Sequence, residues 1–223
     1  MKFISATTCF TLAAAVSAQS DILDGGRKLN QAKDMLAVVH NVSDKEAKNL
    51  LRNYGCFCYP QGQNFVGPTN GFNGEPVDEL DRLCKQLFRA QRCLQIDSDN
   101  GEYPKDCNND QAYAFHLSNG DVVCGEENAS NKQTVRKDCK IDMCELEKDF
   151  VTKVSDLFNN GYVKNAAFEN MSQNDYEATC ARNSAGGGTQ SELACCGAGI
   201  ERRTYNSVVN MCCNNEVSSL GSC

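Results

Sequence analysis

The chain has 223 residues, 29 acidic side chains against 22 basic ones, a net charge of −7 and 15 cysteines. Acidity without a basic run argues against nucleic acid or an anionic membrane as the main partner. No stretch after residue 18 approaches the ~20 apolar residues that a membrane span requires, so the chain is expected not to span a membrane.

Lys2, the apolar run from Phe3 to Val16 and the small-residue Val16-Ser17-Ala18 site form a secretory signal over residues 1–18, with cleavage expected before Gln19. The expected localisation is secreted and extracellular. Cys9 falls inside the signal and leaves an even number of cysteines, for which an oxidising compartment implies a disulfide framework. Zinc is the competing use. No C-x-x-C pairs repeat at zinc-site spacing, and neither His40 nor His116 belongs to an H-x3-5-H arrangement. Asn-x-Ser sequons at Asn41, Asn128 and Asn170 are candidate glycosylation sites on the surface.

Leu29, Ala32, Met35 and Leu36 recur at helical spacing, although Gly25-Gly26 weakens the start of that helix. Ser43-Asp44-Lys45-Glu46 has capping-box form, with Leu50 and Leu51 following and Gly55 as the stop. Pro60, Gly62, Gly67, Pro68, Gly71 and Gly74 make residues 59–75 a long loop. Pro76 is suited to the first position of a helix running to about Leu94, whose Val77, Leu80, Cys84 and Leu87 share one face. Beyond it a polar stretch holds Ser118-Asn119-Gly120, a hairpin turn flanked by Tyr113, Phe115, Val122 and Val123. A second long helix is predicted from about Arg136 to Asn159, with Gly161 past its end. After Gly161 the composition changes, and residues 181–191 form a small, polar, linker-like stretch before a cysteine-dense end.

Asn53-Tyr54-Gly55-Cys56-Phe57-Cys58, followed by Pro76-Val77-Asp78-Glu79-Leu80-Asp81-Arg82-x-Cys84, resembles the signature of the secreted phospholipase A2 family. Tyr113-x-Phe115-x-x-Ser118-Asn119-Gly120-x-x-x-Cys124 is similar to its strand hairpin, and Cys139-x4-Cys144 to the start of its second long helix. The resemblance covers roughly residues 28–155. It implies a mainly α, disulfide-rich fold, with two long antiparallel helices and a small β-hairpin. Residues 19–160 would form the phospholipase A2-like domain and residues 161–223 a cysteine-rich C-terminal extension. It also implies disulfides Cys58–Cys84, Cys107–Cys139 and Cys124–Cys144. Leu83 with Lys153, and Ala90 with Leu146, stand at two pairs of positions where the family bridges its long helices.

In that family a histidine general base activates water, and the following aspartate helps a glycine-rich loop hold calcium against the developing oxyanion. The matching stretch here is Asp81-Arg82-Leu83-Cys84-Lys85-Gln86-Leu87-Phe88, so Leu87 stands for the base and Phe88 for the metal ligand. Neither side chain accepts a proton or ligates a hard cation, and loss of a positioned base alone costs ~10²–10⁴ in rate. The expectation is therefore no catalytic residue, no calcium or other cofactor, and no enzyme activity. Glu147 falls where the family's helix carries a supporting aspartate and, with no histidine to orient, is expected to be a solvated helix charge.

Leu87 and Phe88 suit a packed core; they also suit a lipid cleft, in which apolar groups lining a former polar site would receive an acyl chain. Cys195-Cys196-Gly197, Tyr205-Asn206 and Cys212-Cys213 resemble one unit of the double-cysteine repeats of galaxin-like extracellular matrix proteins. The leading expectation is a catalytically inactive secreted protein with a structural or binding role in an extracellular or mineral matrix. Its partner would be an extracellular protein, a lipid or a mineral surface. The alternatives are a fatty-acid or lipid carrier using the vestigial channel, and an active calcium-dependent phospholipase A2 with a displaced site.

Overall fold

The computed structural model describes residues 26–58, 75–99, 113–125, 137–180 and 193–223. The signal expected over residues 1–18, most of the loop expected over residues 59–75, Cys107, Asn128 and the linker-like stretch expected over residues 181–191 lie outside the described residues. Four helices and a hairpin build the first part: α1 Gly26–Val39, α2 Asp44–Leu51, α3 Glu79–Asp99, the antiparallel pair β1 His116–Ser118 and β2 Asp121–Val123, and α4 Lys137–Asn159. A short helix follows, α5 Gln173–Thr179, and then two further antiparallel hairpins, β3 Leu193–Cys196 with β4 Arg203–Asn206 and β5 Asn210–Cys213 with β6 Glu216–Ser219.

The local signals act where the sequence places them. Ser43 caps α2, accepting from the Glu46 amide while Glu46 reaches back to the Ser43 backbone, so two otherwise orphaned donors are satisfied. Asn119 and Gly120 both take positive φ, 53° and 90°, and close the β1–β2 turn with Ser118 opposite Asp121, the geometry a two-residue primed turn requires. At the end of α4, Tyr162 N donates to Leu157 O and Gly161 N to Phe158 O, the paired bonds that terminate a helix past its C-cap.

The helix expected to begin at Pro76 begins instead at Glu79, because Asp78 takes the capping role: its Oδ1 accepts from the Asp81 amide at 3.1 Å. The same helix runs on to Asp99, past the expected end near Leu94. Ile96 and Asp97 are buried there, and Asp97 meets Arg202, a partner more than a hundred residues away in sequence.

The core lies where α1, α3 and α4 meet, filled by Met35, Leu36, Leu80, Leu87, Met143, Phe150 and Val154. Among the described residues α3 and α4 are the two longest helices, and they pack on one another. Disulfides fasten the frame. Cys58–Cys84 joins the segment after α2 to α3, and Cys124–Cys144 joins the hairpin to α4. Cys139 is also disulfide-bonded, and the pairing expected for it with Cys107 lies outside the described residues. Cys56–Cys180 closes a separation of 124 residues. Taken alone, a loop of that size corresponds to about 4–5 kcal/mol of lost unfolded-state entropy.

No secondary structure was predicted beyond Gly161, yet this part packs onto α3 and α4. Cys93–Cys195 ties β3 to α3, Ile200 is fully buried in the core, and its amide donates to Asp149 Oδ2 at 3.1 Å. Arg202 grips both carboxylate oxygens of Asp97. Cys196–Cys212 and Cys213–Cys223 staple the hairpins, whose strands are too short to be stable alone.

Candidate functional site

The segment Tyr54 to Cys58 and the first turn of α3 are held together by one carboxylate. Asp81 is completely buried and accepts from three amides, Cys56 and Val77 at 3.0 Å and Phe57 at 2.7 Å. Burial pushes its carboxyl above the ordinary aspartate value, and the three amide bonds pull the other way. Gly55 sits against it with φ +59°, and a Cβ there would lie 2.4 Å from the Asp81 carboxyl carbon, so only glycine fits. Tyr176 on α5 donates to Cys56 O at 3.0 Å, next to the Cys56–Cys180 bond, so the later chain braces the same turn.

A second polar cluster lies beside it. Tyr54 and Tyr162 both donate to Asp78 Oδ2, Tyr162 at 2.8 Å, and the Asn165 amide donates to Tyr54 Oη at 3.0 Å. Burial, followed by the hydrogen bonds around Asp78, raises both phenols above their ordinary pKa.

One to two turns along α3 from Asp81 come Leu87 and Phe88. Leu87 retains 4% exposure and belongs to the core, while Phe88 is half-buried. Close to them Lys85 is largely buried, its ammonium 5.0 Å from the centre of the Phe57 ring and 3.1 Å from Glu75 Oε2.

Glu147 corrects the sequence reading. It is not a solvated charge: it retains 1% exposure, and its carboxylate accepts from Tyr113 Oη and, at 3.2 Å, from Gln91 Nε2. A charge so buried must be hydrogen-bonded, and these donors come from the segment leading into β1 and from α3, 34 and 56 residues away. The structure thus brings Tyr113, Gln91 and Glu147 together as a polar knot. Glu147 was visible to sequence reasoning, but Gln91, one turn beyond Leu87, was not singled out.

Both histidines lie elsewhere. His40 Nδ1 is 2.9 Å from Ser155 Oγ, with its ring 5.9 Å from Phe158. Ser155 stands eight residues, about 12 Å of helix rise, from Glu147 along α4. His116 is exposed on β1. Of the positions that the resemblance matches to helix-bridging cysteines, Leu83, Ala90 and Leu146 are buried, and Lys153 meets Asp149 at 3.4 Å and Glu201 at 3.5 Å.

The two sequons within the described residues share one local design. Asn41 and Asn170 are exposed and take positive φ, 53° and 50°; an apolar residue follows, Val42 or Met171, and the serine then caps a helix. Asn170 shares its side-chain oxygen with Asn53 Nδ2 at 3.3 Å.

No family model matches the chain. It is similar to the acidic phospholipase A2 Drk-a1 of Daboia russelii, 30% identical over 108 residues, which are 48% of this chain and 64% of that protein. The acidic phospholipase A2 Tpu-E6b of Craspedocephalus puniceus is 34% identical over 91 residues, 41% of this chain and 59% of the relative. The acidic phospholipase A2 homolog taipoxin gamma chain of Oxyuranus scutellatus scutellatus is 26% identical over 106 residues, 44% and 53% respectively. The chain thus spans less than two thirds of the length of these relatives. The matches and the disulfide-rich helical fold support a phospholipase A2-like protein, and the many disulfides are consistent with an extracellular one. No helix among the described residues is long and apolar enough to cross a membrane.

Proposed function

We propose that this is a phospholipase A2-like secreted protein, built on two long antiparallel helices, that does not hydrolyse phospholipid and acts instead by binding or by building an extracellular matrix. The observation that supports this is the state of α3 at residues 87 and 88. Leucine stands in the core where the family's resemblance calls for a base, and phenylalanine stands where it calls for a calcium ligand. Glu147, which would steady such a base, has its carboxylate engaged by Tyr113 and Gln91. The chemistry of the donor set also fails to fit calcium in the family's manner, because Phe88 offers no oxygen and the buried Asp81 carboxylate already receives three amides.

Turnover of phospholipid micelles by the natural protein, dependent on calcium and abolished by chelator, would contradict this reading; absence of turnover is expected. A matrix role draws on the acidic balance and on the double-cysteine hairpins, and adsorption of the purified protein to calcium carbonate tests the mineral branch. The second reading, carriage of an acyl chain, draws on Phe88, which stays half-buried beside the buried Leu87. A delipidated sample that takes up no fluorescent fatty acid would remove it.

A further inference from the structure

We infer that Asn41 carries an N-linked oligosaccharide, attached before α2 closes its cap. The inference rests on the secretory reading of residues 1–18. Asn41 is exposed, and its carboxamide makes no hydrogen bond with the described residues. The backbone explains how it points outward. Asn41 N donates to Val38 O and Val42 N to Ala37 O, so Asn41 is the left-handed residue that ends α1, while Val42 turns inward onto the core.

The folded turn is closed to the transfer reaction. Ser43 Oγ, the sequon hydroxyl, accepts from the Glu46 amide at 3.3 Å and donates to Glu46 Oε2 at 2.6 Å. The reaction must therefore take place on the unfolded chain. The co-reactant is an oligosaccharide carried on a lipid diphosphate, supplied by the secretory membrane with its transferase. Asn41 Nδ2 attacks the anomeric carbon, a C–N bond forms, and the C–O bond to the diphosphate breaks. The lipid diphosphate leaves with the electron pair, and the amide proton passes to the transferase. Once folding follows, nothing in the turn has to move to accommodate the product. Asn170 differs: its side-chain oxygen and backbone amide are both paired with Asn53, so its side chain is part of the fold.

The test is expression of the full chain in insect cells, with peptide mapping of protein from the medium after enzymatic glycan release in heavy-oxygen water. Label at residue 41 is expected, and Ser43→Asp should abolish it. That variant removes the sequon while keeping an N-cap side chain, so the protein should still be secreted and folded. Asn41→Gly, which suits the left-handed turn, should do the same. Secreted protein bare at Asn41, including protein modified at Asn170 only, would overturn the inference alone. Retention of the chain inside the cell would overturn the secretory reading and the inference with it.

Discussion

Replacing Arg202 by alanine should reveal that the C-terminal hairpins are fastened to α3 by charge as well as by sulfur. The guanidinium meets both oxygens of Asp97, with one contact at 2.9 Å, and the carboxylate side chain keeps only 5% exposure against 24% for the arginine. Removing one partner of a buried pair leaves the other unpaired and costs about 3–5 kcal/mol. Because Arg202 is a quarter exposed, water entering the vacated space recovers part of that, and a loss of roughly 2–4 kcal/mol follows. The Cys93–Cys195 bond keeps the hairpin in place, so the damage is local destabilisation rather than release. Guanidinium unfolding of the oxidised protein reads the loss as a lower midpoint at unchanged slope. Adding Asp97→Asn to Arg202→Ala removes the stranded charge and should restore part of the stability. A loss below about 0.5 kcal/mol, or strictly additive single effects, would refute the reasoning.

Three further outcomes follow from the same structure. Asp81→Asn leaves at least one of three buried amides facing an NH2 group and should cost about 2–4 kcal/mol in the same unfolding measurement. Ser43→Ala should cost about 1 kcal/mol by removing the α2 cap, whereas Ser43→Asp should be close to neutral in calorimetry of unglycosylated protein. Burial raises Tyr54 and Tyr162 and pushes Tyr176 up to about 12. Above pH of about 10 the unfolded chain loses phenol protons that the folded chain keeps, so stability should fall as pH rises. Unfolding midpoints that stay level from neutral to alkaline pH would contradict that sign.

What the sequence made legible was local. The Ser43 box, the Asn119-Gly120 turn and the extent of α4 depend on neighbours within a few residues, and each acts as expected. What it hid was long-range. Glu147 looks like one more charge on an acidic helix until Tyr113 and Gln91 arrive from other elements to bury it. The last turn of α3 is held by Arg202, and the strands after Leu193 are short, cysteine-rich and without clear alternation, so no periodic signal announces them. The sequons show how a local pattern can be read in two ways, since asparagine for the left-handed turn, an apolar residue and a serine cap together spell the same three letters. That residues 87 and 88 are leucine and phenylalanine is a matter of residue identity and needs no structure, whereas the burial of Leu87 in the core and the half-burial of Phe88 do.

The central claim is most directly tested by measuring fatty-acid release from phospholipid micelles by the purified natural protein, with calcium and with chelator, beside an active acidic phospholipase A2. The account predicts release no faster than the protein-free blank under either condition. Calcium-dependent release above that blank, unchanged in a Leu87→Ala/Phe88→Ala variant, would show that catalysis resides elsewhere in the chain and would contradict the account.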